Sequence, residues 1–155
     1  MAIIREAKKE DAALVFDFIT KLAEYEKMTD EVVGSVELIE KWVFDQKKAE
    51  VVFIMKDNKE VGFALYFYNF STFLSKPGIY LEDVYILPDF RKQGLGKMVF
   101  DYLINKAKNE GLSRIEWVCL DWNTPSIDFY KKIGAKALDE WTTYRLDNKA
   151  IIEFK

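Results

Sequence analysis

The chain has 155 residues, a net charge of −3 and 50% hydrophobic residues, which predicts one compact domain over residues 1–155. Charged residues make up 32% of the chain and exclude a bundle of membrane helices, and the small acidic excess argues against general nucleic-acid binding. Cys119 is the single cysteine and histidine is absent, so an internal disulfide, a zinc finger and a nucleophile paired with histidine are excluded. We expect no metal centre.

No segment has the pattern of a membrane anchor or an export signal. The longest apolar runs, VVFIM and GFALYFY, are far shorter than the roughly 20 residues that a membrane span requires. The N-terminal MAIIREAKKED lacks the order of charges and apolar residues of a signal peptide. We therefore expect a cytoplasmic protein with neither a membrane nor a nucleic acid as a partner.

The first half of the chain predicts a strand, two helices and a hairpin. A strand near 2–6 precedes a helix over about 9–27, in which apolar residues recur at helical spacing. Ser35 is the expected N-cap of the second helix. The stretch EVVFIMKDNKEVGFALYFYNF predicts two antiparallel strands that turn at 57–59, because β-branched and aromatic residues flank a polar turn.

The second half predicts strands alternating with helices. A strand over 79–87 ends at Pro88, which cannot donate to a strand ladder, and a helix over 94–110 is followed by Gly111 in the position of a C-terminal cap. SRIEWVCL predicts the next strand, and Thr124 the N-cap of the next helix.

The C-terminal region predicts further strands near 136–138 and 142–147 and at AIIEF. Together, these elements predict an α/β fold with a mixed sheet and helices on both of its faces.

RKQGLGK lies between a predicted strand and a predicted helix, where backbone N–H groups lack partners. Gly94 and Gly96 bring no Cβ atoms, and Arg91, Lys92 and Lys97 add positive charge, so the turn predicts a site for a phosphate group. The spacing fits neither a Walker loop nor a Rossmann fingerprint and suits the pyrophosphate of a linear cofactor. The alternative is a tight turn with solvated basic residues.

Glu82 and Asp83 stand side by side in the apolar strand 79–87. Carboxylates in such a strand are costly unless they are paired or functional, which makes the two residues candidates for proton transfer or for binding a cation. Strand alternation sends them to opposite faces, so we expect one of them to reach a ligand directly. The alternative is an ion pair with a basic residue, or simple exposure at a sheet edge.

Several motifs together resemble a known superfamily. RKQGLG is similar to the Arg/Gln-x-x-Gly-x-Gly/Ala acetyl-CoA signature of the GCN5-related N-acetyltransferases. LAEYEKM, VGFALYFYNF, YLEDVYILPDFRKQGLG and WNTPSIDFYKKIGA resemble the diamine acetyltransferases, which include the spermidine/spermine and thialysine acetyltransferases. The resemblance covers nearly the whole chain. It implies a single three-layer acetyltransferase domain, with a mostly antiparallel sheet that splays at the cofactor, and a homodimer formed through the C-terminal region.

The resemblance also implies an acetyl-CoA site. The backbone of residues 84–86 would pair with the pantetheine arm, and the turn over 91–97 would hold the pyrophosphate. The cofactor-binding residues implied in this way are Val84, Tyr85, Ile86, Arg91, Lys92, Gln93, Gly94, Leu95, Gly96, Lys97, Asn123 and Ser126.

Acetyl transfer to an amine requires that an alkyl ammonium, with a pKa of about 10.4, first loses a proton. Histidine is absent, so carboxylates are the candidate acceptors, and the resemblance gives Glu82 this catalytic role. It also implies that Tyr25, Glu26, Glu82 and Asp83 bind the substrate. The expected reaction is direct transfer to a primary amine of a small cationic metabolite, without a covalent enzyme intermediate.

Tyr130 is the expected general acid, because a phenol with a pKa of about 10 keeps its proton at neutral pH and can donate it to the departing CoA thiolate. The periodicity of Ile127, Tyr130 and Ile133 is equally typical of the apolar stripe of a short helix. Only the resemblance favours the catalytic role.

EWTTYRL departs from the polyamine acetyltransferases, which carry an acidic residue ahead of Trp-Arg-Leu, whereas this chain has Thr142 and Tyr144 there, with Glu140 nearby. One carboxylate fewer favours a shorter diamine or a lysine-like amino acid as the substrate. Two alternatives stay open: acetylation of a protein N-terminus or lysine, and a non-catalytic CoA-binding sensor.

Overall fold

A five-stranded mixed sheet with the order β1-β2-β3-β4-β5 organises the computed structural model, which describes residues 1–155. Antiparallel pairing joins the first four strands, and the fifth runs parallel to the fourth. The strands are β1 (Ala2–Glu6), β2 (Glu50–Lys56), β3 (Lys59–Ser71), β4 (Lys76–Ile86) and β5 (Ile115–Glu116). The predicted α/β class with a mixed, mostly antiparallel sheet is confirmed.

Five helices accompany the sheet: α1 (Ala12–Tyr25), α2 (Val36–Ile39), α3 (Leu95–Glu110), α4 (Thr124–Lys132) and α5 (Asn148–Glu153). A 3₁₀ turn over Lys9–Asp11 precedes α1, and α2 continues as a π-helical segment over Glu40–Asp45. No helix is both long enough and apolar enough to cross a membrane.

The chain forms two compact units, Met1–Val118 and Cys119–Lys155. The first unit contains the whole sheet with α1, α2 and α3, and the second contains α4 and α5.

Local sequence signals explain where several elements begin and end. Ser35 caps α2 as predicted, because its Oγ accepts a hydrogen bond from the backbone N–H of Leu38 at 3.2 Å. Gly111 ends α3 with a φ of +69°, a conformation that glycine adopts without a steric penalty. The turn between β2 and β3 places Asp57 and Asn58 at φ values of +50° and +62°, which suits the tight turn of a two-residue hairpin.

Helices cover both faces of the sheet. On one face, Phe18 of α1 packs against Phe53 and Phe63, with ring centroids 6.0 and 5.5 Å away. Strand alternation turns Val52 and Ile54 away from Phe53 and toward the opposite face. Helix α3 contacts β1, β4 and β5 and buries four apolar side chains of its own, Leu95, Val99, Phe100 and Leu103. The hydrophobic core is therefore divided by the sheet, as expected for a three-layer fold.

A bulge in β4 decides which way its two carboxylates point. Leu65 of β3 pairs with Asp83, and the next residue, Tyr66, pairs with Leu81, so Glu82 is the extra residue on β4. Because Leu65 packs against the core beneath α1, Asp83 lies on the α1 face of the sheet. Glu82 is exposed at the bulge, whereas Asp83 is partly buried.

The structure corrects five predictions in the second half of the chain. Of the predicted strand SRIEWVCL, only Ile115–Glu116 forms a strand, β5. These are the two residues that pair with β4, and the rest of the segment has no strand partner. The N-cap of α4 is Asn123 rather than Thr124, since its side-chain oxygen accepts from the backbone N–H of Ser126 at 3.4 Å.

The strands predicted near 136–138 and 142–147 are also absent, and the residues AII of AIIEF lie in α5. A strand needs a hydrogen-bonded neighbour to be stable, and none of the sheet's five strands pairs with these segments. Helix α5 instead begins at an N-cap, because Asp147 Oδ1 accepts from the backbone N–H of Ala150 at 2.8 Å.

Candidate active site

The carboxyl half of β4 presents an edge that β5 does not pair with. Strand β5 pairs with Ile79 and Tyr80 alone, whereas β4 continues to Ile86. Residues 81–86 therefore extend past the end of β5, and N–H and C=O groups on that side of a strand can pair with an extended ligand. This is the edge that was predicted to receive a pantetheine arm through Val84, Tyr85 and Ile86.

The turn after β4 leads directly into the N-terminus of α3, a helix of 16 residues. Gly94 stands at the N-cap with a φ of +79° and offers no side-chain cap to the first-turn N–H groups. A Cβ atom added to Gly94 would meet no atom within 4 Å, so the approach to these donors is open. Leu95, Gly96 and Lys97 form the start of the helix, which is a favourable place for an anion.

The basic and amide side chains of this turn are less available than the sequence suggests. Lys97 pairs with Asp101 at 2.8 Å, and Gln93 accepts a hydrogen bond from Lys56 while its own amide donates to the carbonyl of Asp89. Lys92 is exposed and forms no ion pair. An anion at the N-terminus of α3 would therefore meet mainly backbone N–H groups and the charge of Lys92.

Arg91 contacts aromatic rings and the backbone of β4. Its guanidinium carbon lies 4.6 Å from the ring centroid of Tyr25 and 5.2 Å from that of Tyr85. Its Nε donates a hydrogen bond to the carbonyl oxygen of Ile86 at 2.9 Å. The side chain is therefore folded over two aromatic rings at the end of β4.

Three carboxylates form what we call the acidic cluster: Glu26 just after α1, and Glu82 and Asp83 on β4. Burial, and after it the negative charges of Glu82 and Glu26, raise the pKa of Asp83 to about 7. Burial also raises the pKa of Glu26. No lysine or arginine forms an ion pair with any of the three, so the ion-pair explanation for Glu82 and Asp83 is wrong.

The acidic cluster has the chemistry of a site for a cation. Unpaired carboxylates favour a positively charged ligand, and a carboxyl group that titrates near pH 7 can take a proton at neutral pH. Tyr25 and Tyr85, whose ring centroids are 6.3 Å apart, stand beside the cluster, and the guanidinium of Arg91 lies over both rings.

The three remaining predicted site residues lie on α4, in the second compact unit. Asn123 caps the helix through the backbone N–H of Ser126, and Tyr130 is partly buried, with its ring centroid 5.8 Å from that of Phe129. In residues 1–155, the acidic cluster included, no group of three or more His, Cys, Asp or Glu side chains is arranged to hold a metal ion.

Sequence reasoning missed two features of the site. The bulge at Glu82 had a faint signal, because two adjacent carboxylates in an apolar strand are easier to accommodate where the strand alternation is interrupted. The stack of Arg91 on Tyr25 and Tyr85 had none, since it depends on the end of α1 meeting the end of β4.

A strand edge open beside a helix N-terminus suits an extended anionic ligand, and the unpaired acidic cluster next to it suits a cationic one. The model of the acetyltransferase (GNAT) family matches residues 17–135, and the chain belongs to this family. It is therefore an acetyl-CoA-dependent N-acetyltransferase, in agreement with the resemblance found in its motifs.

Named relatives extend the likeness over most of the chain. A thialysine N-epsilon-acetyltransferase of Sus scrofa is 34% identical over 163 residues, which cover 97% of this chain and 95% of the relative. An L-ornithine N5-acetyltransferase of Arabidopsis thaliana is 36% identical over 97 residues, or 63% of this chain and 42% of the relative. An integron cassette protein of V. cholerae with a solved structure shares the fold, with a TM-score of 0.80 and 24% identity over 97% of this chain and 95% of its own.

Proposed function

We propose that the enzyme acetylates a primary amine of a small cationic metabolite, either a short diamine or a lysine-like amino acid. The observation that carries the proposal is the acidic cluster, whose three carboxylates lack a cationic partner within the protein. Relatives named for thialysine and L-ornithine support the same substrate class. Thr142 and Tyr144 stand where the polyamine acetyltransferases carry an acidic residue ahead of Trp-Arg-Leu, which argues against a longer polyamine.

Acetyl-CoA, the cosubstrate that the family implies, supplies the activated acetyl group as a thioester. Val84, Tyr85 and Ile86 would hold its pantetheine arm by backbone pairing along the open edge of β4, in the manner of an added strand. The N-terminal N–H groups of α3, with Lys92 nearby, would hold its pyrophosphate. Asn123, the N-cap of α4, and Ser126 are proposed from the resemblance as further coenzyme-binding residues.

Asp83 is proposed as the group that takes the proton from the bound ammonium. It lies on the α1 face beside Tyr85, and burial holds its pKa near 7, so its carboxylate form is available at neutral pH. Glu82, predicted from the resemblance as the catalytic carboxylate, is exposed at the bulge, where its negative charge attracts the ammonium and strengthens the basicity of Asp83.

Two further groups are proposed to assist transfer. The hydroxyl of Tyr130 would donate a proton to the departing thiolate, since a phenol is protonated at neutral pH. A backbone N–H near Val84 would stabilise the negative charge that develops on the acetyl oxygen, because β5 does not pair with that edge.

A panel of amines tests the substrate class. CoA release from acetyl-CoA is followed with putrescine, spermidine, spermine, thialysine, ornithine, lysine and short peptides under identical conditions. We expect the largest kcat/KM with thialysine, ornithine or putrescine and a smaller value with spermine. Turnover with peptides alone would refute the proposal and show that the enzyme acetylates proteins. No turnover with any amine would also refute it.

A further inference from the structure

Arg91 contacts three elements that carry residues of the proposed site: the turn before α3, the end of α1 and β4. It stands at the start of the turn that leads to α3, its guanidinium lies over Tyr25 at the end of α1, and it also lies over Tyr85 of β4. Its Nε donates to the carbonyl oxygen of Ile86, the last residue of β4, at 2.9 Å. The side chain is partly buried, so these contacts are made away from bulk solvent.

The two rings beneath Arg91 are adjacent to the residues of the acidic cluster. Tyr25 immediately precedes Glu26, and Tyr85 follows Asp83 on the same face of β4. A planar guanidinium can stack on aromatic rings and donate a directed hydrogen bond at the same time, whereas a lysine ammonium lacks the plane needed to do both. Arg91 therefore fixes the distance between the elements that present Glu26 and Asp83.

We propose that Arg91 is a positioning residue of the acidic cluster and that its side chain is not a ligand of the coenzyme's pyrophosphate. The inference rests on the proposed role of the cluster in binding the amine. It departs from the expectation, taken from the RKQGLG motif, that Arg91 adds charge at the phosphate site. Lys92, which is exposed and unpaired on the same turn, is the side chain that remains available for a phosphate.

Steady-state kinetics of matched variants distinguish the two roles of Arg91. Arg91→Lys keeps the charge and loses the planar stack, and we expect it to raise the KM of the amine about tenfold while the KM of acetyl-CoA changes by less than about twofold. Lys92→Gln is the contrasting variant, expected to raise the KM of acetyl-CoA and to spare that of the amine. The proposal is overturned if Arg91→Gln weakens CoA binding tenfold in calorimetry with the amine KM unchanged.

A measurement without any ligand tests the stack itself. In protein with isotope-labelled tyrosine, Arg91→Lys is expected to shift the ring signals of Tyr25 and Tyr85, assigned from their Phe variants, and to leave the signal of the buried Tyr66 in place. Unchanged signals of the two rings would overturn the proposal. If the wild-type protein acetylates no amine, the proposed function fails, and the ring signals still decide the role of Arg91.

Discussion

Burial raises the pKa of Asp83 to about 7, with Glu82 and Glu26 acting in the same direction, so the fraction of its carboxylate changes across neutral pH. If Asp83 accepts the substrate proton, kcat/KM should rise about tenfold per pH unit up to about pH 7 and then level off. Asp83→Asn should remove this rising limb of the pH profile and lower kcat/KM by about 100-fold or more. The check is the pH profile of each variant.

Glu82→Gln is the matched control for this experiment. It removes a negative charge that raises the pKa of Asp83, so the limb should persist and move to lower pH. A limb that survives unchanged in Asp83→Asn would show that another group accepts the proton.

The same carboxyl group makes the stability of the fold depend on pH. Its pKa in the native state, about 7, lies above the ordinary value of 3.8, so the native state binds this proton more tightly than the unfolded chain. The resulting stabilisation is complete below about pH 4 and is lost as the pH rises through about 7, which lowers the free energy of unfolding by up to about 4 kcal/mol.

Urea denaturation at pH 5 and pH 8 measures this effect. Relative to the wild type, Asp83→Asn should have a higher free energy of unfolding at pH 8 than at pH 5, because only the wild type loses stability as Asp83 ionises. An equal difference at the two pH values would mean that Asp83 is not desolvated in the native state.

Tyr130 is the residue whose proposed role rests most on the family resemblance. Replacing it with Phe keeps the ring on α4 and removes the hydroxyl, so kcat should fall about 100-fold if the phenol protonates the thiolate. The affinity for CoA, measured by calorimetry, should stay the same. If kcat is unchanged, Tyr130 is only part of the apolar stripe of α4.

Among the elements, β3 and β4 approach each other closely at Gly62. A Cβ atom there would lie 2.6 Å from the carbonyl oxygen of Tyr85 and 2.9 Å from Cδ1 of Ile54. Gly62→Ala should therefore lower the free energy of unfolding by about 1–3 kcal/mol and disturb the end of β4 that carries the open edge. Urea denaturation and the KM of acetyl-CoA check both effects.

Gly34→Ala is the control for this substitution, because its added Cβ would make an ordinary contact of 3.7 Å with Phe16. Its free energy of unfolding should stay within about 0.5 kcal/mol of the wild type. Equal losses in the two variants would mean that the cost comes from alanine itself rather than from the strand contact.

Elements that carry their own signals were predicted well. The hairpin of β2 and β3 and the cap of α2 follow from turn and cap residues within a few positions, and each is confirmed. The strands predicted in the last 20 residues are wrong because apolar and β-branched composition cannot reveal whether a neighbouring strand exists.

In the candidate site, too, features with a local sequence signal were predicted and features that depend on distant contacts were not. The glycine turn and the carboxylate pair are contiguous in sequence, so their residue types and spacing pointed to them directly. The link between Arg91 and Tyr25 depends on tertiary packing over 66 positions of the chain, and the pKa of Asp83 depends on burial, which no short pattern specifies.

At the scale of the whole molecule, the family match over residues 17–135 extends through both compact units and ends before the last 20 residues. Those last residues expose large apolar side chains: Leu138, Trp141, Tyr144, Leu146, Ile151, Ile152 and Phe154 are each more than half accessible. So many exposed large apolar side chains in one short segment are typical of a segment that is covered by a partner.

A second copy of the chain is the expected partner for this surface, because the resemblance to diamine acetyltransferases implies a homodimer through the C-terminal region. Light scattering after gel filtration should give twice the 18.2 kDa of one chain. Ile152→Asp should shift the mass toward one chain, since a charge in an apolar interface is costly to bury. Phe73→Ser, which removes a 99% exposed ring from the turn between β3 and β4, should leave the dimer intact. A monomeric wild type would show that no dimer forms. Dissociation by Phe73→Ser alone would show that the interface lies at the turn between β3 and β4.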